Sequence, residues 1–205
     1  MRGKLITFEG SEGSGKSTQA ALVLEYLKNK SVPVTLLREP GGVKISEAVR
    51  AILLDTGNKD MGDECETLLY MAARAQMVKE VLVPTLESGM TVLCDRFLDS
   101  TIAYQGHGNK VDVSLIKELG RFATRGIVPD LTLLFDIDTA KGLSRTNAAK
   151  DRIELRSLDY HNRVRQGYLD LARLEPKRIK VIAVDASKQD IFKRVKPFVD
   201  DVLCF

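Results

Sequence analysis

The segment Gly10–Thr18 constrains the fold more than any other part of the chain. Its sequence, GSEGSGKST, fits the pattern G-x-x-x-x-G-K-[ST]. A mostly apolar, β-prone run precedes it at Lys4–Glu9, and good helix formers follow it from Ser17 to Asn29. A glycine-rich loop in this position points successive backbone N–H groups at one anion, and the helix that follows adds its positive dipole end. The segment therefore predicts a strand, a loop that binds the phosphates of ATP or GTP, and a helix.

Two side chains of this loop are expected to contact the nucleotide or its metal ion. Lys16 can reach the β- and γ-phosphates of a nucleotide, and the Ser17 hydroxyl can ligate Mg²⁺. A glycine-rich turn with an exposed lysine is the alternative, which the flanking strand and helix disfavour. The candidate ATP-binding residues are Gly10, Ser11, Glu12, Gly13, Ser14, Gly15, Lys16, Ser17 and Thr18.

Short apolar runs alternate with helical patterns along the whole chain. Each run is almost continuously apolar, as expected for strands that are covered on both faces. Strands that alternate with helices imply right-handed crossovers and a parallel sheet. We therefore expect an α/β, three-layer P-loop NTPase fold, with a five-stranded parallel sheet flanked by helices in a single domain over residues 1–205. The predicted strands are Leu5–Phe8, Pro33–Leu37, Thr91–Cys94, Leu131–Asp136 and Ile179–Val184. The predicted helices after the first are Ile45–Leu54, Glu64–Leu86 with a kink near Pro84, Val113–Thr124, Arg156–Leu174 and Lys188–Leu203.

Composition disfavours several other classes of protein. The net charge of +3 is modest and no basic tract is present, so nucleic-acid binding is not expected. No apolar run approaches the ~18 residues of a membrane span, and no signal-peptide pattern opens the sequence. The three cysteines, Cys65, Cys94 and Cys204, are far apart and odd in number, which predicts reduced thiols and a cytoplasmic location.

Charged residues directly follow three of the predicted strands. Glu9 ends the first strand, Arg38-Glu39-Pro40-Gly41-Gly42 follows the second, and Asp95-Arg96-Phe97 follows the third. Ligands of such sheets bind at the carboxyl ends of the strands. Any one of these groups alone could be a solvated cap, but the three together indicate a second anionic ligand and a metal beside the phosphate loop.

Five motifs follow one another along the chain. They are the phosphate loop with its preceding Phe8-Glu9, REPGG at 38–42, YMAAR at 70–74, DRFLDSTIAYQG at 95–106 and DRIE at 151–154. In this order they resemble the thymidylate kinase family. The segment 95–106 is the most specific, because many NTPases share the phosphate loop. The resemblance implies an Mg²⁺-dependent kinase that transfers the γ-phosphoryl group of ATP to dTMP, giving dTDP for dTTP biosynthesis. It also implies a homodimer, with Glu64–Leu86 and Val113–Thr124 as the interface helices.

At the phosphate end of dTMP, the resemblance implies roles for four residues. Arg96 holds the dTMP phosphate, since a guanidinium fork matches phosphate oxygens bidentately; a structural ion pair with Asp95 is the alternative. Asp95 has a water-mediated role at Mg²⁺, beside Ser17. Glu12 is associated with the dTMP 3′-hydroxyl and the metal region, unless it only fills an exposed loop.

At the base and sugar, the resemblance implies that Tyr70 stacks on thymine and that Arg74 donates to a base carbonyl. The two residues lie four positions apart and therefore on one helix face. An aromatic residue at this spacing is more often part of a hydrophobic core, which is the alternative. The family usually has Phe where this chain has Tyr70. Tyr104 blocks a ribose 2′-hydroxyl, while Thr101 and Gln105 bond to the base edge or act as caps and turn formers. The candidate dTMP-binding residues are Glu12, Arg38, Pro40, Tyr70, Arg74, Arg96, Ser100, Thr101, Tyr104 and Gln105.

Residues 142–154 resemble the family's mobile lid, in a short form. The variable positions of the phosphate loop hold no arginine, so transition-state charge must be met from elsewhere. The resemblance to the bacterial type implies a lid arginine, and Arg145 and Arg152 both remain candidates. The candidate catalytic residues are Lys16, Arg96, Arg145, Arg152 and Glu12, and the candidate metal ligands are Ser17 and Asp95.

Other functions compete with this interpretation. A kinase of another nucleotide or nucleoside would share the loop but accept a different substrate. A GTP-dependent switch, which reads guanine with an Asn-Lys-x-Asp segment, comes from another class and is not expected here. A nucleic-acid-dependent ATPase is disfavoured by the modest charge.

Overall fold

A five-stranded parallel sheet lies at the centre of the structure, a computed structural model that describes residues 2–145 and 151–205. The strand order is β2-β3-β1-β4-β5, so the strand before the phosphate loop is the middle one. In register, Ile6 of the middle strand lies opposite Leu93 on one side and Leu131 on the other. The strands are β1 (Leu5–Glu9), β2 (Val34–Arg38), β3 (Thr91–Asp95), β4 (Leu131–Asp136) and β5 (Ile179–Ala183). The predicted sheet is confirmed, and every predicted strand end lies within about one residue of the observed one.

Helices connect the strands in the predicted order. They are α1 (Lys16–Asn29), α2 (Lys44–Leu54), α3 (Asp63–Met77), α4 (Val83–Glu87), α5 (Leu98–Thr101), α6 (Val113–Ala123), α7 (Thr139–Leu143), α8 (Leu158–Leu174) and α9 (Lys188–Leu203). Side-chain oxygens of Asp112, Ser157 and Ser187 accept backbone N–H groups at the starts of α6, α8 and α9, which fixes where these helices begin. No helix in these two ranges is long and apolar enough to cross a membrane.

Two π-helical segments depart from the predicted pattern. Val78–Leu82 joins α3 to α4, so that the predicted long helix is interrupted just before Pro84. Proline lacks an N–H and crowds the preceding turn, and a widened turn accommodates it. Ile102–Gly108 continues α5 and has no predicted counterpart, because this stretch with Gly106 and Gly108 carries no regular apolar period.

Side chains of β1 alternate between two buried clusters, which gives the fold its three layers. Ile6 and Phe8 pack with α1 and α9, and the Phe8 ring stacks on Phe135 with centroids 6.2 Å apart. Leu5 packs on the other face with Met77 and the helical residues that follow it. Since both faces are covered, the polar ends of the strands are left for a ligand site.

Candidate active site

The phosphate loop has the open backbone that its glycines permit. Gly10, Gly13 and Gly15 have φ values of 145°, 66° and 80°, which favour glycine. Lys16 opens α1, and its Nζ donates to the Ser11 carbonyl at 3.1 Å. Burial and the charge of Arg96 lower the pKa of Lys16 to about 8, against the opposing effect of nearby carboxylates. A phosphate in the loop would give this buried cation a partner of opposite charge.

Ser17 and Asp95 meet beside the loop. The Ser17 hydroxyl donates to Oδ2 of Asp95 at 2.5 Å, at an exposed position. Mg²⁺ prefers a few protein oxygens together with waters and substrate phosphates, so a hydroxyl and a carboxylate here fit such an ion. Residues 2–145 and 151–205 contain no group of three His, Cys, Asp or Glu side chains that could hold a metal by themselves.

A cavity of about 240 Å³ lies next to the loop. It is lined by Glu12, Glu39, Pro40, Arg50, Leu54, Tyr70, Arg74, Arg96, Ser100, Thr101, Tyr104, Gln105, Asp151, Ile153 and Glu154. All the candidate dTMP-binding residues except Arg38 are in this set. The structure therefore brings side chains from five separate segments of sequence to one cavity.

Arg96 joins the cavity to the phosphate loop. Its Nη2 donates to Oε1 of Glu12 and to the Tyr104 hydroxyl, both at 3.0 Å. Its Nη1 lies 3.2 Å from the Gly10 carbonyl and from the hydroxyls of Ser100 and Tyr168. The guanidinium thus turns towards Glu12 and not into the ion pair with Asp95 that was the alternative.

Glu12 is held as an anion by this arrangement. Burial alone would raise its pKa, but the charges of Arg96 and Lys16 and the hydrogen bond from Tyr104 lower it to about 2. The Tyr104 hydroxyl donates to the same Oε1 atom at 2.6 Å. Glu12 is therefore a fixed acceptor at the junction of loop and cavity, and not an exposed loop residue.

Glu9 is connected to Arg96 through the hydroxyl of Tyr168. Glu9 is fully buried and accepts from the Phe97 backbone N–H at 2.7 Å, the Ser100 hydroxyl at 2.6 Å and the Tyr168 hydroxyl at 2.9 Å. Burial, together with the charge of Asp99, raises its pKa to about 7 despite these hydrogen bonds. Tyr168 was not among the predicted site residues, because an aromatic residue at helical spacing on α8 has the pattern of a core residue.

Arg74 lines the cavity and also connects the segments that surround it. Its Nε lies 2.7 Å from Oε2 of Glu39, and both side chains are buried. Its Nη1 donates to Thr101 Oγ1 and its Nη2 to the Phe97 carbonyl, each at 3.0 Å. The Glu39–Pro40 peptide bond is cis. The end of β2 is thereby tied to α3 and α5 around the cavity.

Arg38 differs from the other candidates for dTMP binding. Its Nη2 pairs with Oε1 of Glu47 at 2.8 Å, its side chain is half exposed, and it does not line the cavity. Glu47 also accepts from the Gly42 backbone N–H. The charge of Arg38 is thus used to close the turn after β2. Arg50, by contrast, lines the cavity and donates to the Pro40 carbonyl at 3.0 Å.

The start of the lid touches the phosphate loop through backbone alone. A Cβ placed on Gly13 would lie 2.0 Å from the Gly142 carbonyl oxygen, and one on Gly142 would lie 2.4 Å from the Glu12 carbonyl oxygen. No side chain fits at either position without movement. The orientation of α7, which leads into the lid, is therefore set by the loop.

The two lid arginines have different surroundings. Arg145 is exposed just after α7, whereas Thr146–Lys150, the centre of the predicted lid, lie outside the described residues. Arg152 is buried, with Nη2 2.6 Å from Oε2 of Glu66 and Nε donating to the Leu53 carbonyl at 2.9 Å. Arg152 is not among the residues that line the cavity, and its guanidinium pairs with the buried Glu66 instead.

The sequence does contain one Asn-Lys-x-Asp segment, Asn109-Lys110-Val111-Asp112. The Asn109 amide donates to Glu66 at 2.9 Å, and Asp112 accepts from the Ser114 backbone N–H at the start of α6. These contacts give both side chains structural partners away from the phosphate loop, so the segment does not support guanine recognition.

Comparisons with known proteins show the family to which this chain belongs. Residues 8–195 match the sequence model of the family described as Thymidylate kinase. The chain belongs to the thymidylate kinase family. It is 44% identical to a thymidylate kinase of Symbiobacterium thermophilum, over 97% of this chain and 93% of that protein. It is 50% identical to one from Geobacter sp. strain M21, over 88% and 84% of the two chains.

A crystal structure of thymidylate kinase from Ehrlichia chaffeensis is similar over almost the whole length. Its TM-score is 0.79 at 33% identity, and the match covers 97% of this chain and 99% of that one. The predicted P-loop kinase fold and the family resemblance are thereby confirmed. As a member of the thymidylate kinase family, the chain is a nucleotide-binding phosphotransferase.

Proposed function

We propose that this chain transfers the γ-phosphoryl group of ATP to the phosphate of dTMP, giving ADP and dTDP for dTTP biosynthesis. The observation that carries the proposal is the cavity beside the phosphate loop, because nine of the ten predicted acceptor-binding residues line it. Arg96, through Glu12, connects that cavity to the loop. This arrangement supports two phosphate-bearing ligands that meet end to end.

The transfer requires two anions to be aligned while their repulsion is neutralised, which is mainly a matter of position and charge. The loop N–H groups and Lys16 bind the phosphates of ATP. Arg96 binds the acceptor phosphate and is itself oriented by Glu12 and Tyr104. Ser17 and, through water, Asp95 would hold a Mg²⁺ ion that neutralises phosphate charge when bound.

The other cavity residues recognise the nucleoside. The Tyr70 ring provides a stacking surface for the base, while Arg74 and Thr101 provide donors for its carbonyl groups. Tyr104 occupies the space beside Glu12 that a ribose 2′-hydroxyl would need. A hydrophobic pocket discriminates a single methyl group by only ~1–3 kcal/mol, so some activity on dUMP is expected.

Arg145 is the lid arginine that we assign to the transition state, since Arg152 is paired with the buried Glu66. A homodimer is also part of the proposal. Leu68 on α3 and Leu115 and Phe122 on α6 are exposed apolar residues, and Phe122 is 84% exposed. The three cysteines are unpaired, which supports a reducing, cytoplasmic location.

An assay of ADP release with dTMP, dUMP, AMP, CMP and GMP tests this function. We expect turnover with dTMP to exceed that with AMP, CMP and GMP by orders of magnitude. In Arg96→Lys, kcat/KM for dTMP should fall about 10–100-fold, because lysine cannot replace a bidentate guanidinium, while KM for ATP changes little. Turnover with dTMP that is no higher than turnover with AMP, CMP or GMP would contradict the assignment. Arg173→Lys, on the exposed surface of α8, is the control.

A further inference from the structure

Glu66 is a fully buried carboxylate next to the base end of the cavity, and no step of the phosphoryl transfer uses it. Its Oε2 lies 2.6 Å from Nη2 of Arg152 and 3.3 Å from Nη2 of Arg156. Its Oε1 accepts from Nε2 of Gln105 at 2.8 Å and from Nδ2 of Asn109 at 2.9 Å. One carboxylate thus connects both arginines to two side-chain amides.

The hydrogen-bond donors and acceptors of this cluster can be assigned from the charge of its carboxylate. A carboxylate flanked by guanidinium groups can only accept hydrogen bonds, so the NH₂ group of the Gln105 amide must face Glu66. Gln105 is also a lining residue of the cavity. Because its nitrogen is turned to Glu66, its oxygen is the acceptor that Gln105 can offer to a ligand in the cavity.

The base edges of the pyrimidines differ in what they offer to such an oxygen. Thymine has an N3–H donor between two carbonyl acceptors, whereas cytosine has a bare N3 acceptor beside an amino group. Arg74, Thr101 and Gln105 all line the cavity, and Nη1 of Arg74 lies 3.0 Å from Oγ1 of Thr101. Thr101 lies one helical turn before Gln105. The donors of Arg74 and Thr101 and the acceptor oxygen of Gln105 are therefore on the same wall of the cavity. This wall is complementary to thymine and mismatched to cytosine at N3.

We propose that Glu66 is the positioning residue that sets pyrimidine selectivity, by orienting the Gln105 amide so that its oxygen accepts the N3–H of thymine. The inference rests on the proposed function, since it concerns the same acceptor cavity. Glu66 acts through Gln105 and does not touch the nucleotide.

The variant Glu66→Gln tests this orientation directly. The oxygen of the introduced amide should turn to the two arginines, which are donors only, so the introduced NH₂ group faces Gln105. Gln105 must then flip, accept with its oxygen and present its own NH₂ group to the cavity. The ratio of dissociation constants for dCMP and dTMP should therefore shift about tenfold or more towards dCMP.

Asp63→Asn is the matched control. Asp63 is on the same helix and its Oδ1 lies 3.9 Å from the same Arg156 nitrogen, whereas the Gln105 amide donates to Glu66. It should leave the ratio within about twofold of the wild-type value, because only the amide orientation is read by the base. Both ligands are titrated into the same preparation by calorimetry, so partial unfolding of a variant cancels in the ratio.

Binding is measured without ATP, which separates this inference from the proposed function. A wild-type chain that binds neither nucleotide would overturn both. A wild-type chain that prefers dTMP, with an unchanged ratio in Glu66→Gln, would overturn the inference alone.

If Glu66→Gln does not fold, the wild-type chain still decides the question. The side-chain NH₂ resonances of Gln105 should stay protected from exchange with and without dTMP. Rapid exchange of these protons in the free chain that slows only when dTMP binds would show that the NH₂ group faces the cavity, and would overturn the inference.

Discussion

The hydroxyl of Tyr168 donates to Oε2 of Glu9 at 2.9 Å. The same hydroxyl lies 3.2 Å from Nη1 of Arg96. A residue of α8 and a residue at the end of β1 therefore hold the arginine that we assign to the acceptor phosphate. Its orientation depends on packing between elements that are far apart in sequence.

Tyr168→Phe should lower the free energy of unfolding by about 1–3 kcal/mol, since Glu9 and Arg96 lose a buried partner. Tyr160→Phe is the matched control, because Tyr160 is equally buried on the same helix. Its hydroxyl has no hydrogen-bond partner among residues 2–145 and 151–205, so its loss should be neutral or stabilising. Urea unfolding of both variants measures these changes. An equal decrease in the free energy of unfolding of the two variants would contradict the prediction.

The raised pKa of Glu9 predicts a pH dependence of stability. Between the ordinary glutamate pKa of 4.5 and the folded value of about 7, the folded chain keeps a proton that the unfolded chain has released. Glu9 therefore makes the free energy of unfolding fall as pH rises through this range. Between these pH values the free energy of unfolding of the wild-type chain should fall by roughly 1–3 kcal/mol more than that of Glu9→Gln, as measured by urea unfolding. If the free energies of unfolding of the two chains changed in parallel with pH, the prediction would be wrong.

Gly142→Ala should lower kcat about tenfold or more, because the new methyl group would collide with the Glu12 carbonyl and push α7 off the phosphate loop. Gly62→Ala is the control, since the nearest atom to a Cβ there is a flexible Glu64 carboxylate oxygen at 3.8 Å. Steady-state kinetics with dTMP and ATP measure both. Unchanged kcat in Gly142→Ala would show that the lid base need not rest on the loop.

Arg145→Ala should lower kcat about 10³-fold with little change in either KM, as expected for a cation that acts only on the transition state. Arg173→Ala removes an exposed arginine on α8 and should have no effect on kcat. Single-turnover measurements compare the two. If Arg145→Ala retained full activity, transition-state charge would have to be met by another group.

The sheet and most helices could be predicted from sequence because their signals are local. Apolar runs such as Leu131–Asp136 are buried on both faces, and the phosphate loop fits a pattern with few structural solutions. The helical segment Leu98–Gly108 was not predicted, since its stability comes from packing against α8 and not from its own period.

Motifs next to strand ends predicted Glu12, Asp95 and Arg96 as site residues, and the structure places these side chains beside one another at the phosphate loop. Residues whose roles depend on tertiary contacts were not predicted, and Glu66 and Tyr168 are the clearest cases. Sequence also could not separate Arg145 from Arg152, because only the fold reveals that the second neutralises a buried carboxylate.

The buried ion pair of Arg74 and Glu39 leaves no net charge on its side of the cavity. At the end next to the loop, Lys16 and Arg96 supply charged donors for a phosphate group. A mononucleotide engages these donors through its phosphate, whereas a free nucleoside has no such group. Binding of the mononucleotide should therefore weaken as ionic strength rises, and binding of the nucleoside should be largely indifferent to it.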